Sequence, residues 1–479
     1  MKAGPPHVAM LATPGMGHLI PLAELAKRLA ARRGATATLI TFASAASATQ
    51  RAFLASLPPS VAARALPPVD LSDLPRDAAI ETLMTAECAR SLPAIAAVLA
   101  ELGETARLVA FVVDQFGMEA FNAARDAGVT AARCLFMPMN LHALSLVLHL
   151  PELAASVPRE FRDLAEPVRL PGCVPIPGPD IISPLQDRSN PSYAVMVNLA
   201  VRCREAAAAI LVNSFDAVEP EAAEALRHPA EPGWPPVYPV GPLILQSESG
   251  GTGADVDGTP PRAACLEWLD RQPARSVVYV SFGSGGALPK EQMHELALGL
   301  ERSGQRFLWV VRSPSDDEGT LNGNYYDAES KKDPFAYLPE GFVERTKEVG
   351  LLVPSWAPQT QVLAHGATGG FLTHCGWNST LESLVHGVPM VAWPLFAEQR
   401  LNAVMLSEGA GAAIRLPETK DKESIAAVVR ELVEGEGKGA MVRAKVAQLQ
   451  KAAAEGLREG GAATTALDEV MDKWEAEAN

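Results

Sequence analysis

Short apolar runs along this chain alternate with longer stretches whose apolar positions recur every three or four residues, the succession of strand and amphipathic helix. Residues 7–13 are mostly apolar and stop at Pro14, predicting a first strand. Gly15, Met16 and Gly17 then make a turn, and Leu19, Leu22, Leu25, Ala26 and Leu29 share a helical face that ends near Gly34. Residues 35–42, rich in threonine, predict a second strand, so the chain opens on a βαβ unit. Further strands are predicted over 108–113, 132–137 and 209–213, with a helix over 117–127, and 237–242 closes the first half. Segments 141–157 and the proline-rich 170–184 show neither period and read as irregular walls of a pocket. Farther on come a short helix over 266–269, a strand over 277–282, a glycine turn at 283–286, a helix over 290–303 and a strand over 307–312. A polar insertion over 313–334 precedes strands over 351–354, 369–373 and 389–393, a helix over 380–386, and helices from Lys422 onward. This alternation predicts an α/β fold with parallel sheets, which bind ligands beyond the C-terminal ends of their strands.

At 479 residues the chain exceeds what one core supports and predicts two large domains. The stretch 246–261 is small, polar, glycine-rich and aperiodic, which places a linker over 246–262 between a first domain, 1–245, and a second beginning at 263. A net charge of -15 gives no general attraction for nucleic acid or an anionic membrane. The six cysteines are scattered without a CxxC spacing, so neither a disulfide framework nor a zinc site is expected, and a reducing compartment fits. The first apolar run is too short for a secretory signal and no uninterrupted run reaches about 20 apolar residues, so the expectation is a cytoplasmic protein without membrane insertion.

Residues 356–399 concentrate the chemistry. Trp356 and Gln359 follow a strand together, an indole and an amide suited to a flat heterocycle. The strand over 369–373 runs into His374-Cys375-Gly376-Trp377-Asn378-Ser379 and a helix, an arrangement that aims backbone N–H groups at phosphate. Glu398 and Gln399 end the next strand's loop, where a carboxylate beside an amide suits the paired hydroxyls of a sugar. Base, phosphate and sugar in that order read as a nucleotide-sugar site. Glu382 fits equally a capping box with Ser379. Away from this stretch, His18 and Asp114 sit on one predicted rim, where a carboxylate on one imidazole nitrogen would leave the other as a base. Gly15-Met16-Gly17 fails the GxGxxG spacing, since the third glycine would fall at Ile20. Asp255-Val256-Asp257 looks like a metal-binding DxD, but it lies in the linker; no metal is expected.

Residues 356–399, opening WAPQ, carrying HCGWNSTLES and ending EQ, closely resemble the signature box of plant family 1 UDP-glycosyltransferases. PGMGHLIP at the start, VVD ending at Asp114 and SFGSGG at 281–286 are similar to family features in the family order. The resemblance implies a GT-B fold, two Rossmann-like domains facing across a cleft, the second spanning 263–458, with a final segment, 459–479, packing back on the first. It implies that Trp356 stacks on uracil with help from Ala357 and Gln359, and that Glu382 binds ribose. Ser284, His374, Gly376, Asn378 and Ser379 would hold the diphosphate, and Trp377, Glu398 and Gln399 the sugar, the terminal glutamine being the form associated with UDP-glucose. His18 would deprotonate the acceptor, and Asp114 would stabilise the imidazolium, in inverting transfer without metal or cofactor. Together with 324–347, the box resembles the hydroquinone glucosyltransferase group, implying acceptors that are small phenols, phenylpropanoid alcohols and chlorinated phenols or anilines; a monomer is expected. Candidate acceptor-pocket residues are Glu81, Phe116, Phe136, Met137, Leu148 and Phe396. The alternatives are larger acceptors such as flavonoids, or nucleotide-sugar binding without catalysis.

Overall fold

The structure, a computed structural model, describes residues 4–43, 47–75, 78–205, 207–229, 233–245, 263–315 and 333–478. The linker at 246–262, with Asp255 and Asp257, and most of the polar insertion, 316–332, lie outside the described residues. The chain divides into two compact units, residues 1–244 with 454–479, and residues 245–453.

The apolar runs of the first half form a parallel seven-stranded sheet of β1 (Pro6–Leu11), β2 (Thr36–Phe42), β3 (Val61–Leu66), β4 (Arg107–Asp114), β5 (Ala132–Met137), β6 (Ala209–Val212) and β7 (Val237–Pro239). Its spatial order is β3-β2-β1-β4-β5-β6-β7. Strands buried on both faces need apolar residues throughout, which is why β1 and the end of β4 read as continuous runs. The chain builds outward from β1 to β3, then returns to β1's other side with β4, so the order reverses between β1 and β4. In the second unit β8 (Val277–Ser281), β9 (Arg306–Val311), β10 (Gly350–Pro354), β11 (Thr368–Thr373), β12 (Met390–Ala392) and β13 (Ala413–Arg415) form a parallel sheet ordered β10-β9-β8-β11-β12-β13. Here the reversal falls between β8 and β11, whose ends are level: Ser281 pairs with Thr373. Such a reversal opens a crevice beyond the strands' carboxyl ends, where open α/β sheets take their ligands.

The helix Ala462–Glu477 belongs to the first unit. Its Leu467, Val470, Met471 and Trp474 join the core cluster of Val8, Met10, Leu22 and Phe136. The Trp474 indole N–H donates to Cys134 Sγ at 2.9 Å, and Arg32 and Arg33 pair with Asp468.

Several elements differ from those expected. Residues 141–156, expected to be irregular, form the helix Leu141–Ser156 despite Pro151. Asn140 caps it by accepting from the Ala143 N–H at 2.7 Å, and the Glu219 carboxylate accepts from the Leu141 and His142 N–H groups. Buried on nearly all sides, the segment lacks the polar face that periodicity detects. A 26-residue helix, Ile80–Thr105, fills a stretch with no predicted element. Among the described residues it is the helix long and apolar enough to cross a membrane by length and composition. A run-length count passes over it because Glu87 and Arg90 interrupt the run. Its Met84, Cys88, Ile95 and Leu99 are buried in the first unit.

Candidate active site

In the first unit the site is built at the β1/β4 reversal. Gly15, at φ 116°, turns the chain from β1 into the helix Met16–Arg33 and accepts from the His18 and Leu19 N–H groups, which sets His18 in the first turn. Asp114 ends β4 and is fully buried. Its Oδ2 lies 3.3 Å from His18 Nδ1 and accepts from the Thr13 N–H at 2.7 Å and the Thr13 hydroxyl at 2.6 Å. Its Oδ1 accepts from the Phe116 N–H at 3.1 Å. A carboxylate with this many donors is held in one orientation and kept as an acceptor for an imidazole N–H. With Nδ1 directed at Asp114, Nε2 is the nitrogen placed to take a proton. The Phe116 ring lies 5.9 Å from the imidazole, between centroids, tilted by 51°.

In the second unit the loops after β8, β10, β11 and β12 supply the site. The first two helical turns after β11 begin at Trp377, with Gly376 as the cap and no side chain capping it. The helix was expected to start at Thr380; its earlier start places Ser379 at the third helical position and removes the capping box. Glu382 accepts instead from Gln359 Nε2 at 2.6 Å, and the same amide reaches Ser379 Oγ at 2.9 Å. Burial pushes the Glu382 carboxyl up to about 7, against the hydrogen bond from Gln359.

His374 stands between two glycines. A Cβ at Gly283, whose φ is 75°, would lie 2.6 Å from His374 Nε2, and one at Gly376 would lie 2.4 Å from it. Only glycine lets both loops come this close. Burial lowers His374 to about 4, so the ring is neutral at pH 7, and its Nδ1 is buried without a protein partner. The Cys375 thiol, also buried, is pushed up to about 12 and puts no thiolate beside this helix start. Ser284 is exposed on the loop after β8, and the Arg312 guanidinium donates to the Gly283 and Ser284 carbonyls.

Trp356 is 65% exposed after the left-handed Ser355, so its indole face is open to a ligand; Ala357 beside it is buried. Trp377 differs: it is the first residue of the helix and only 2% exposed, so its indole face is not open to a ligand. Gln399 Oε1 accepts from the Leu395 and Phe396 N–H groups, which fixes the amide and turns its NH2 the other way. Of the expected acceptor residues, Phe136, Met137 and Leu148 are fully buried and offer no surface to a ligand. Phe136 packs in the core because it shares a sheet face with Cys134 and Val112. Phe116 lies against His18; Glu81, in the first turn of Ile80–Thr105, and Phe396 are half-buried.

Two residues that hold candidate site side chains in place are not marked in the sequence. Thr13 grips Asp114 by both backbone and side chain, and its only signal was a hydroxyl at the end of an otherwise apolar strand. Tyr279, buried in β8, donates its hydroxyl to Gln359 Oε1 at 3.4 Å and so points the Gln359 NH2 toward Glu382. Among the described residues no cluster of three His, Cys, Asp or Glu groups could hold a metal ion.

The signature described as UDP-glucoronosyl and UDP-glucosyl transferase matches residues 234–449. The hydroquinone glucosyltransferase of Rauvolfia serpentina is 48% identical, over 98% of each chain. UGT2 of Phytolacca americana, solved with UDP-2fluoro-glucose and pterostilbene, superposes with a TM-score of 0.86 at 43% identity, covering 99% of this chain and 100% of that one. A UDP-glucosyltransferase of Polygonum tinctorium capable of glucosylating indoxyl, solved with 3,4-dichloroaniline, superposes with a TM-score of 0.87 at 45% identity over the same shares. The chain has a GT-B fold and belongs to the UDP-glycosyltransferase family.

Proposed function

We propose that this enzyme is an inverting, UDP-glucose-dependent O-glucosyltransferase that makes β-glucosides of small phenolic acceptors. The observation that carries the reading is the buried Asp114 carboxylate 3.3 Å from His18 Nδ1. A phenol is a much weaker acid than an imidazolium and does not give up its proton in advance, so the base must act as the new bond forms. As the phenol oxygen attacks the anomeric carbon, His18 Nε2 takes its proton and the bond from that carbon to the diphosphate breaks. UDP leaves with the bonding electrons, and the α-linked donor gives a β-glucoside. Asp114 stabilises the imidazolium while it lasts.

On the donor side, the exposed Trp356 indole takes uracil, with the Ala357 backbone and Gln359, and Glu382 takes the ribose hydroxyls. Gly376, Asn378 and Ser379, at the helix start, carry the diphosphate charge with Ser284 and the neutral His374, without a metal ion. Trp377, Glu398 and Gln399 address the glucose. Support for a phenolic acceptor comes from the hydroquinone glucosyltransferase relative and from the pterostilbene held by the Phytolacca enzyme. The same reading has the enzyme act as a cytoplasmic monomer, without nucleic acid and without membrane insertion.

The test incubates a panel of phenols with UDP-glucose, identifies products by mass, and repeats it with His18→Ala. O-glucosides form with the native enzyme; the variant keeps its affinity for UDP and loses O-glucosylation. Undiminished turnover in the variant overturns the assignment of His18.

A further inference from the structure

Asn402 is fully buried on the helix Gln399–Val404, one turn after Glu398, whose carbonyl accepts its backbone N–H at 2.9 Å. Its side-chain Nδ2 donates to the Cys375 carbonyl at 2.9 Å and approaches Glu398 Oε1 at 3.3 Å. We infer that Asn402 is a positioning residue of the donor site, holding the Glu398 carboxylate against the loop that starts the diphosphate-binding helix and so helping to select the sugar.

Cys375 is the left-handed residue, φ 66°, between β11 and that helix. A side chain there is strained, so its peptide stays put only where other groups hold it. One rigid amide group with two hydrogens therefore sets the spacing between a strained turn in the phosphate loop and a carboxylate on the next loop. Few side chains can replace it: aspartate has no donor hydrogens, glutamine is a methylene too long, and leucine fills the volume but bonds neither partner. Gln399 does not depend on this bridge, because its Oε1 is held by Leu395 and Phe396. Of the two side chains directed at the sugar, Glu398 alone takes its orientation from Asn402. The inference rests on the reading, proposed above, that Glu398 meets the sugar.

The experiment measures kcat and KM with UDP-glucose and with UDP-galactose, inhibition by UDP, and thermal stability. It does so for Asn402→Leu, Asn402→Asp, Glu398→Gln and the double variant Asn402→Leu with Glu398→Gln. The expected result for Asn402→Leu is a fall of about tenfold in kcat/KM for UDP-glucose, the scale of one hydrogen bond to a charged group, with inhibition by UDP within about threefold of native. Its preference for UDP-glucose over UDP-galactose moves toward that of Glu398→Gln, and the double variant is no worse than Glu398→Gln alone, since both changes disable one device. Should the leucine variant unfold, Asn402→Asp, of equal size, shows the same pattern. If Glu398→Gln changes neither rate nor donor preference, the reading of Glu398 fails and this inference falls with it. If Glu398→Gln shifts the preference but the Asn402 variants do not, or the two losses multiply, or UDP binding weakens as much as UDP-glucose use, this inference alone is overturned.

Discussion

Replacing Asp114 with Asn isolates the charge in the first unit's site. The Asp114 carboxylate lies 3.3 Å from His18 Nδ1. At an effective dielectric of about 20, unit charges at that distance attract by roughly 5 kcal/mol. The amide keeps a carbonyl dipole toward the imidazole, so about 2–4 kcal/mol of imidazolium stabilisation is lost, or roughly 30- to 1000-fold in kcat. The amide oxygen takes the Oδ2 position, where both Thr13 donors are, which turns the NH2 toward the Phe116 N–H. Two facing donors cost stability, about 1–3 kcal/mol. The melting temperature therefore drops, while UDP binding, proposed above for the other unit, is unchanged. Steady-state kinetics on phenols of graded acidity supply the decisive readout. A nitrophenol already largely ionised at neutral pH needs no base, so its rate falls far less than that of an ordinary phenol. A kcat within threefold of native on the ordinary phenol, or the same loss on both, refutes the assignment.

Trp356→Ala should weaken UDP by the worth of one base–aromatic stack, about 1–3 kcal/mol, with the melting temperature unchanged because the indole is 65% exposed; calorimetric titration with UDP checks both. Glu382 has a folded-state value of about 7 against an ordinary 4.5, so the folded protein retains a proton that the unfolded chain releases, and stability falls as pH rises through that window and then levels. UDP affinity runs the other way, rising as the carboxylate forms to accept ribose hydroxyls. Glu382→Gln should flatten both trends, and pH profiles identical to native would count against Glu382 as their source. Gly283→Ala forces a Cβ into His374 at a left-handed φ, so UDP binding should fall more than about tenfold and stability by about 1–2 kcal/mol.

Much of the fold was legible because both sheets are parallel and doubly covered, which leaves apolar strands bounded by polar helices; β5 and the helix Lys290–Ser303 fall where the pattern puts them. What periodicity missed were elements without a polar face, such as Leu141–Ser156, and the edge strand β3, exposed over four of its six residues. The stretch proposed to take the donor stood out as a candidate because its chemistry-bearing residues are contiguous. The helix start at Trp377 was not legible, because Gly376 caps it with no side chain, whereas Ser379 and Glu382 offered a plausible later start. The His18–Asp114 proximity followed from both lying at strand ends, but only strand order places β1 beside β4. Thr13 reaches Asp114 across 101 positions and Asn402 reaches the Cys375 carbonyl across 27, and nothing local in the sequence marks either contact.

The helix Ala462–Glu477 closes the core of the first unit, yet residues 245–453 separate it from the rest of that unit. During synthesis the strands around His18 therefore emerge with the face awaiting Leu467, Val470, Met471 and Trp474 still uncovered, while the second unit emerges as one continuous stretch. A premature stop after residue 453 would leave a finished second unit attached to a first unit with an open core, which quality control would recognise by that exposed face.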